Sequence, residues 1–475
     1  MSYRDLRDWI EQVAELRELK CFDGADWDLE VGALCALASP TENCPTLLFD
    51  RLASYPAGYR ILVNPLASFN RIALTSGLPN DLGKRDYVAL WRKRLKEFSL
   101  VPPTMVDGGP VMENVHTGDE VNVLEFPSPF WHARDGGRYI GTATAVITRD
   151  PDDGWVNFGT YRTMVVDRNH VIPYITRGKH GSIHRNKYLA QGKPCPVAIS
   201  IGHDPVLFMA ASLEVPYGVC EFDYAGGIKG EPIEVMRGPL TGLPIPARSE
   251  IVLEGEILPD ARAAEGPFGE WMGYYASSTR EEPVMEVKAI YHRNDPIILG
   301  NFHEKAVNAP TVHQNIIRSA IIHDEMEKAG VPDVVGVWCH EVGGPRLLIA
   351  VSIKQRYPGH ARQAAHIATF CHGGAFMGRY VVVVDDDIDV WDLNEVMWAV
   401  CSRTDPEKSI EIFKRCWSGM GDPVIPWKDK GFNSRAIIDA CRPWEWRDEF
   451  PLVAAVSDEL KAATRAKWGD ELDLP

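Results

Sequence analysis

The chain has 475 residues, more than one hydrophobic core usually organises, so we expect two or three domains. Hydrophobic residues make up 45% of the sequence and charged residues 24%, proportions typical of a soluble globular protein. Acidic side chains number 66 against 50 basic ones, and the net charge of −16 disfavours binding to nucleic acid or to an anionic membrane. No apolar stretch has the length of a membrane span. The composition favours an enzyme.

The N-terminal stretch and the cysteines indicate the compartment. Residues 1–20 carry acidic side chains and therefore lack the composition of a signal peptide. The ten cysteines include no C-x-x-C pair, which indicates reduced thiols rather than disulfides or a zinc site. We expect a cytoplasmic protein. The N-terminal stretch also predicts an amphipathic helix with one apolar side, formed by Leu6, Trp9, Ile10, Val13 and Leu16.

The remaining elements form three regions along the chain. Up to about residue 115, helical stretches mix with short apolar strands at 46–50 and 59–64. The second region is mostly strand and predicts a barrel or a sandwich; its strands are expected at 139–150, 155–167, 196–202, 249–258 and 282–293, and its helices at 180–192 and 204–227. After about residue 305, helices alternate with strands and predict an α/β layer with a mostly parallel sheet; the helices are expected at 311–330 and 361–371, and the strands at 334–342, 346–354 and 379–392.

The segment AEGPFGEWMGYY places two carboxylates, Glu265 and Glu270, five residues apart. Partners on one helix face lie three or four residues apart, so this spacing does not suit a helix. Pro267 with Gly266 and Gly269 indicates a tight, irregular turn instead. Catalytic groups often lie in such loops, and so do ordinary solvated carboxylates.

Asn157, His180 and Glu221 together offer an amide oxygen, an imidazole nitrogen and a carboxylate. This ligand set suits Mn²⁺ or Mg²⁺, especially an ion completed by phosphate and water. If residues 155–167 form one strand, Asn157 and Arg162 lie on opposite faces. Fourteen histidines give many accidental triplets, and an arginine in a strand is most often at the surface, so purely structural roles remain open for each residue.

Taken in order, these segments resemble the UbiD-type decarboxylases. The ordered set is N-x-G-x-x-R, K-H, V-P-x-G-x-x-E, E-G-P-F-G-E and D-D-D-I-D-V, and the resemblance covers about residues 4–443. It implies an α+β / α/β multidomain fold with an N-terminal α/β region (1–115), a central flavin-binding split β-barrel (116–305) and a C-terminal α/β oligomerisation domain ending in a helix (306–475). It also implies a carboxy-lyase that uses prenylated FMN to decarboxylate an aromatic, heteroaromatic or α,β-unsaturated carboxylic acid.

The resemblance further implies roles for individual residues. Arg162, Glu265 and Glu270 form the family's Glu-Arg-Glu network, with Glu270 as the proton donor. A divalent ion, Mn²⁺ or Mg²⁺, is expected at Asn157, His180 and Glu221, where it holds the flavin phosphate. K⁺ is expected near Trp155, Ala210, Ala211, Leu213 and Glu221. The residues expected to contact the flavin are Thr142, Asn157, Gly159, Thr160, Tyr161, Arg162, Lys179, His180, Ala211, Ser212, Leu213, Glu221 and His372. For Thr142, a plain strand hydroxyl on the barrel wall is an equal alternative.

The sequence departs from the family's pattern at two places, and a third place offers candidate substrate residues. His372 stands where some relatives have a lysine, and it could contact the phosphate, serve the substrate or cap a helix. Gly159 stands where a serine is common. His313 and Gln314, at the start of a helix, are candidate substrate residues, and their polar side chains would favour a ring with a hydroxyl, a ring nitrogen or a second carboxyl group.

Partners and alternatives follow from the same resemblance. We expect a flavin prenyltransferase as supplier of the cofactor, carbon dioxide as product, and a homodimer or homohexamer. Carboxylation, the reverse reaction, would use the same site. Two other functions stay open at this point: a non-catalytic flavin-binding subunit of a larger carboxylase complex, and a metal-dependent hydrolase.

Overall fold

The computed structural model describes residues 3–40, 44–213, 215–305 and 311–469. Within these ranges the helices are α1 (Leu6–Glu15), α2 (Glu30–Ala38), α3 (Phe69–Ser76), α4 (Lys84–Glu97), α5 (His180–Ala190), α6 (Pro205–Ala211), α7 (Glu221–Lys229), α8 (Val312–Lys328), α9 (His360–Phe370), α10 (Leu393–Arg403), α11 (Pro406–Ser409) and α12 (Asp458–Trp468).

The strands of the first half of the chain are β1 (Leu19–Asp23), β2 (Thr46–Asp50), β3 (Arg60–Val63), β4 (Thr104–Met105), β5 (Asn114–Thr117), β6 (Tyr139–Gly141), β7 (Ala145–Arg149), β8 (Val156–Thr160), β9 (Thr163–Val165), β10 (His170–Pro173) and β11 (Cys195–Ile201). Those of the second half are β12 (Glu234–Arg237), β13 (Pro244–Pro246), β14 (Ile251–Glu265), β15 (Arg280–His292), β16 (Ile297–Gly300), β17 (Val334–Cys339), β18 (Leu348–Ile353), β19 (Tyr380–Asp385), β20 (Ile410–Trp417) and β21 (Phe432–Asp439).

The N-terminal part contains a mixed four-stranded sheet in the order β1–β2–β3–β16. Strand β16 pairs parallel to β3, so the chain returns to this sheet after it has completed the central one. Helix α1 begins after Asp5, whose side chain accepts hydrogen bonds from two backbone N–H groups of the first turn. As the apolar spacing predicts, Leu6, Trp9, Ile10 and Val13 of α1 are buried.

The central sheet has the order β6–β9–β10–β15–β14–β11–β7–β8, with β5 paired to β15 in addition. Strands β6 and β9 are at one end of this order, and β7 and β8 are at the other. Two short links connect the ends: Tyr161 and Arg162 join β8 to β9, and residues 142–144 join β6 to β7. Three residues span about 10 Å at most, so the two ends of the sheet must come together. The result is a curled half-barrel, which confirms the predicted split barrel. The barrel is not closed, because in the described residues no strand pairing joins β6 to β8.

Three predictions for the central region are wrong in detail. Residues 139–150 and 155–167 are not continuous strands, because the chain leaves the sheet at 142–144 and again at Tyr161–Arg162 to cross its opening. The helix predicted at 204–227 is divided into α6 and α7, since Pro216 and Gly218, with φ of 85°, interrupt it. Glu265 does not lie in the turn: it ends the long strand β14, opposite Arg280 of β15.

The C-terminal sheet has the order β17–β18–β19–β21–β20. Strands β18, β19 and β21 are parallel, but β17 and β20 pair antiparallel at the edges. The prediction of a mostly parallel sheet is therefore wrong, because alternating elements do not determine the direction of an edge strand. Apolar residues of α9 and α10 pack in separate buried clusters with strands of this sheet.

Two general expectations bear on the whole chain. No helix in the described ranges is both long and apolar enough to cross a bilayer. The division into regions at 115/116 and 305/306 stays a prediction, and the second boundary adjoins residues 306–310, which lie outside the described residues.

Candidate active site

Two adjoining cavities, of about 690 and 270 Å³, lie at the opening of the curled sheet. Thr142 and the pair Thr160–Tyr161, at the two points where the chain crosses this opening, line both of them. Phe376 and Met420, from the C-terminal part of the chain, line both cavities from another side. The split in the barrel thus forms a pocket that the C-terminal part of the chain helps to enclose.

Arg162 binds both carboxylates of the E-G-P-F-G-E segment. Its Nε and Nη2 donate to the two oxygens of Glu265 at 2.7 and 3.0 Å, and its Nη1 donates to Oε1 of Glu270 at 2.6 Å. Because Arg162 lies where the chain crosses the sheet opening, its side chain can reach the end of β14 and the following turn together. The structure thus brings together three residues that periodicity alone had placed in unrelated positions.

The surroundings of Arg162 fix its orientation and its charge. Tyr174 and Phe268 place their rings 4.3 and 4.9 Å from the guanidinium carbon, at cation–π distances. Burial acts to lower the pKa of Arg162, but the charges of Glu270 and Glu265 outweigh it and raise that pKa above its ordinary value. Arg162 therefore stays positively charged.

The two glutamates differ in exposure and in partners. The Glu265 side chain is fully buried, and besides Arg162 it accepts a hydrogen bond of 3.1 Å from the Tyr139 hydroxyl. Burial, followed by the charge of Glu265, raises the pKa of Tyr139, so this hydroxyl remains a donor. The Glu270 side chain is 15% exposed and lines the smaller cavity. Glu265 thus serves to hold Arg162, whereas Glu270 can reach a bound molecule.

The turn between the glutamates is pinned by the segment that precedes β6. The backbone N–H of Gly136 donates to the carbonyl of Pro267 at 2.7 Å, and Asp135 accepts from the N–H of Gly269 at 3.0 Å. Gly136 lies so close that a Cβ atom there would be 2.1 Å from the carbonyl oxygen of Gly266. The position of Glu270 therefore depends on this close approach of two backbones.

The candidate metal ligands Asn157, His180 and Glu221 all line the larger cavity. His180 and Glu221 are the first residues of α5 and α7, so two helix N-termini, which favour negative charge, begin at this cavity. Oε2 of Glu221 accepts a hydrogen bond of 2.8 Å from the backbone N–H of Phe158, next to Asn157. The three elements β8, α5 and α7 thus bring these residues to one wall.

These residues fit a divalent cation. Glu221 is 4% exposed, and burial raises the pKa of its carboxyl group to about 7 against the opposing hydrogen bond from Phe158. Asn157 is 1% exposed, and its side chain offers an amide oxygen at the same cavity wall. Burying a carboxylate is costly unless it is paired, and an amide, an imidazole and a carboxylate are ligands that Mn²⁺ or Mg²⁺ accepts.

Other predicted flavin contacts lie on the same wall. Thr142 lies in the bend after β6, not in a strand, and its Oγ1 accepts from the N–H of Asn301 at 2.9 Å. A Cβ atom on Gly159 would be 2.7 Å from the ring of Tyr161, so a serine here would displace that ring. The remaining members of the predicted set that line the larger cavity are Thr160, Lys179, Ala211, Ser212, Leu213 and the exposed His372, in the turn after α9.

Some predicted residues do not reach the cavities. Trp155 packs its ring 4.9 Å from His180, and Ala210 is buried in α6, but neither lines a cavity wall. His313 is fully buried; its Nε2 lies 2.9 Å from Oγ of Ser212, and burial lowers its pKa to about 3. Of the two substrate candidates, Gln314 lines the larger cavity.

Sequence reasoning missed several cavity residues. His303 lines both cavities, and it follows the fully buried strand β16, a position where polar residues at a strand end could have been noticed. Burial, and then the nearby His132, lowers the pKa of His303 to about 4. Arg346 and Lys430 come from the C-terminal part of the chain and carry no motif that could have identified them.

The larger cavity is basic although the chain is acidic. Its wall carries Arg177, Lys179, Arg346 and Lys430 and, among the described residues, one carboxylate, that of Glu221. The whole chain has a net charge of −16, so the charge of this cavity is opposite in sign to that of the chain. Such a cavity favours an anionic ligand.

Comparison with known proteins decides the family. Models of the N-terminal, Rift-related and C-terminal domains of 3-octaprenyl-4-hydroxybenzoate carboxy-lyase match residues 10–91, 104–305 and 311–440. Pyrrole-2-carboxylic acid decarboxylase of Pseudomonas aeruginosa is 31% identical, and the match covers 99% of this chain and 98% of the relative. The chain belongs to the UbiD family. This confirms the resemblance seen in the sequence and the predicted enzyme class, a carboxy-lyase.

Solved UbiD-class structures share the fold. HmfF from Pelotomaculum thermopropionicum in complex with FMN is similar with a TM-score of 0.83 and 27% identity, over 96% of this chain and 98% of that one. An evolved dimeric form of HmfF in complex with prFMN has a TM-score of 0.81 and 26% identity, over 97% and 98%. Vanillic acid decarboxylase of Sedimentibacter hydroxybenzoicus in its closed form has a TM-score of 0.84 and 29% identity, over 100% and 99%. The mixed α+β multidomain fold of the UbiD family is therefore confirmed.

Proposed function

We propose that this UbiD-family enzyme releases carbon dioxide from an aromatic or heteroaromatic carboxylic acid, with prenylated FMN bound in the larger cavity and the acid in the smaller one. The observation that carries the proposal is the Arg162 guanidinium, held by Glu265 and Glu270 beside the smaller cavity, which adjoins the basic larger one. A carboxylate substrate and a phosphate-bearing cofactor are both anions, and the cavities offer cationic groups for each.

The larger cavity suits the flavin. Asn157, His180 and Glu221 would hold Mn²⁺ or Mg²⁺ against the flavin phosphate, and the N-termini of α5 and α7 add to the attraction. K⁺ would bind close by, near Trp155, Glu221 and the end of α6. HmfF relatives with FMN and with prFMN support the choice of a flavin. Prenylated FMN, when bound, supplies the electron-accepting centre for the electron pair left by the departing carbon dioxide.

The residues of the smaller cavity would orient the substrate and move one proton. Arg162 stays charged and pairs with the substrate carboxylate, while Glu265 holds its guanidinium in place and is itself held by the hydroxyl of Tyr139. Glu270 donates its proton to the carbon that has lost carbon dioxide and then regains a proton from solvent. One carboxylate and one proton thus give one C–H bond and one molecule of carbon dioxide. Trp271 and Phe376 line the cavity with apolar surface and limit the access of water.

His303 is the residue best placed to recognise a polar group on the substrate ring. The amide of Asn301 lies 3.2 Å from its Nε2, and its Nδ1 is buried without a hydrogen-bond partner in the described residues. Since its lowered pKa keeps the imidazole neutral, an amide donor at Nε2 leaves the hydrogen on Nδ1. An Nδ1–H donor suits an oxygen acceptor on the substrate ring, such as the ring oxygens of vanillic acid, the acid in the name of one relative.

The test uses protein made with and without a flavin prenyltransferase. Mass spectrometry of the bound cofactor is combined with carbon dioxide release from pyrrole-2-carboxylate, vanillate and cinnamate. We expect prenylated FMN and activity in the first preparation only; activity with unmodified FMN alone would contradict the proposal. Release by the purified chain alone also excludes the role of a non-catalytic subunit. Glu221→Gln and His180→Ala should lose flavin and activity together, because each removes a metal ligand.

A further inference from the structure

A second group of potential metal ligands lies outside both cavities. His116 on β5, Glu125 just before Phe126, and His292 at the end of β15 each place one ligand atom within 4.8 Å of those of the other two. Strand pairing explains the approach of the histidines, because His116 and His292 lie on neighbouring paired strands, with rings 5.0 Å apart at a steep angle. None of the three lines either cavity, so the proposed decarboxylation does not use them.

The hydrogen bonds of His292 determine which of its nitrogens is available. His292 is 4% exposed, and its Nδ1 lies 2.8 Å from the backbone carbonyl of Arg293. A carbonyl only accepts, so Nδ1 carries the hydrogen and Nε2 presents a lone pair. That Nε2 is buried and has no partner among the described residues. A histidine that donates one N–H to a backbone carbonyl and offers its other nitrogen has the arrangement common among metal-binding histidines.

The ligand atoms of the other two residues also lack hydrogen-bond partners in the described residues. Nδ1 of His116 and Oε1 of Glu125 lie 3.3 Å apart, but neither makes a hydrogen bond in the described part of the chain. Two ligands of one tetrahedral Zn²⁺ lie about 3.4 Å apart, given Zn–N and Zn–O distances of about 2.0–2.2 Å. A buried carboxylate oxygen without a hydrogen-bond donor is costly unless a nearby cation compensates its charge. A dication would supply that compensation.

We propose that His116, Glu125 and His292 form a second divalent-metal site of the Zn²⁺ class, with the fourth position left for water. Two imidazoles and one carboxylate are a set that Zn²⁺ accepts in a tetrahedral arrangement. The ion would connect β5 to the end of β15 and to the segment that leads to Phe126. Absence of C-x-x-C pairs does not exclude such a site, because none of its ligands is a cysteine.

The test counts zinc per chain in a background without the cofactor metal. His180→Ala removes one ligand of that metal, so the protein, stripped with a chelator, is titrated with Zn²⁺ against a chromophoric competitor and analysed by mass spectrometry for metal content. We expect one tightly bound equivalent in His180→Ala, and its loss when His116→Gln or Glu125→Gln is added. Both added positions are partly exposed, at 26% and 22% of the side chain, so the variants should remain folded, as circular dichroism will verify.

The matched control is His170→Gln in the same background. His170 is also a partly exposed histidine beside a carboxylate, with its Nδ1 3.0 Å from Oδ1 of Asp167. It does not belong to the group of three potential ligands formed by His116, Glu125 and His292. The control should retain the zinc equivalent. Two results would overturn the proposal: the same zinc content in His180→Ala with and without His116→Gln, or no bound zinc in either protein. His116 and Glu125 would then form an ordinary ion pair. Tetrahedral Co²⁺ absorption in His180→Ala, absent after Glu125→Gln, would support it independently.

Discussion

Glu265 and Glu270 bind the same guanidinium, yet their remaining contacts suit different tasks. Glu265 accepts from two nitrogens of Arg162 and from Tyr139 and is fully buried. Glu270 accepts from Arg162 through Oε1 and has some exposure at the smaller cavity. A group that must exchange protons with both substrate and solvent needs that access, which is why we propose Glu270 as the proton donor.

Replacing Glu270 with Gln tests this role directly. The amide keeps the shape and can still accept from Arg162, but it cannot deliver a proton, so turnover should fall by about two to four powers of ten. Flavin and metal content should remain near wild-type levels, and exchange of solvent deuterium into the product should be lost. Absorbance measures occupancy and NMR measures exchange on the same preparation.

The control for this variant is Glu256→Gln, in the strand β14 that precedes the Glu270 turn. Glu256 forms a surface ion pair with Lys288, in which Oε2 of Glu256 lies 2.5 Å from Nζ of Lys288. Its replacement should leave turnover unchanged. If Glu270→Gln loses its flavin, the glutamate holds the site together and does not act as the donor. Full activity would mean that the segment is structural.

At the scale of elements, the two short links across the sheet opening decide where the site forms. Tyr161 and Arg162 join β8 to β9, which lie near opposite ends of the sheet. The sequence predicted the strands and the resemblance supplied the residue set, but period-two reasoning treated 155–167 as one strand. In the structure this segment forms two strands with different neighbours: β8 pairs with β7, whereas β9 pairs with β6 and β10. Local pattern contains no information on such long-range pairing.

The same reason explains which site residues could be predicted. The resemblance located Arg162, Glu265 and Glu270, and in the structure Arg162 donates to both glutamates at 3.0 Å or less. His303 was missed because β16 belongs by pairing to the N-terminal sheet, so nothing local connects it with the cavity. Arg346 and Lys430 were missed because they reach the cavity from another part of the fold. The catalytic roles themselves stay predictions.

Replacing Gly136 with Ala should impair catalysis by moving the Glu270 turn. The new Cβ atom would meet the carbonyl of Gly266 at 2.1 Å, so one of the two backbones must shift. A displacement of about 1 Å at a catalytic group can cost about a hundredfold in rate, and we expect a loss of that order in kcat/KM. Steady-state kinetics at matched flavin content measures it.

Gly108→Ala is the matched control, since no atom lies within 4 Å of the Cβ position there. This variant should keep the wild-type rate. Wild-type kinetics in Gly136→Ala would show that the turn does not depend on the close approach of the two segments.

At the scale of the whole molecule, two fully buried histidines predict sensitivity to acid. Burial lowers the pKa of His203 and of His313 to about 3. An unfolded histidine has a pKa near 6.5, so below that pH the unfolded state binds more protons and the free energy of unfolding falls. At pH 5.5 the loss is about 1.4 kcal/mol for each histidine, and denaturant unfolding at pH 7 and 5.5 measures it.

His203→Gln isolates one of these contributions. His203 lines neither cavity, and its replacement should reduce the loss of stability between pH 7 and 5.5 by the share of one histidine. An identical pH dependence in His203→Gln and wild type would contradict the prediction.

The C-terminal segment supports the expectation of a homo-oligomer. Residues 451–468, which include α12, are exposed throughout, and their apolar side chains include Leu452, Val456, Leu460 and Trp468. Such a run of exposed apolar residues favours contact with another copy of the chain. Light scattering at micromolar concentration should show a dimer or a hexamer.

Leu460→Asp should weaken this assembly, because it places a charge among the apolar residues of α12. Lys461→Gln, at the next position of the same helix, is the matched control and should leave the assembly intact. A wild-type chain that remains monomeric at micromolar concentration would contradict the prediction, and so would an assembly indifferent to Leu460→Asp.

The positive charge of the smaller cavity also bears on how a catalytic cycle ends. Arg162 and Lys179 line this cavity, which in the proposed reaction receives an anionic acid. Decarboxylation removes the anionic group from the substrate. Both products, the aromatic compound and carbon dioxide, are uncharged when they leave the cavity. The electrostatic attraction that retains the substrate is therefore lost in the chemical step itself. Product inhibition should accordingly be weak, and ionic strength should act on the capture of substrate more than on the escape of product.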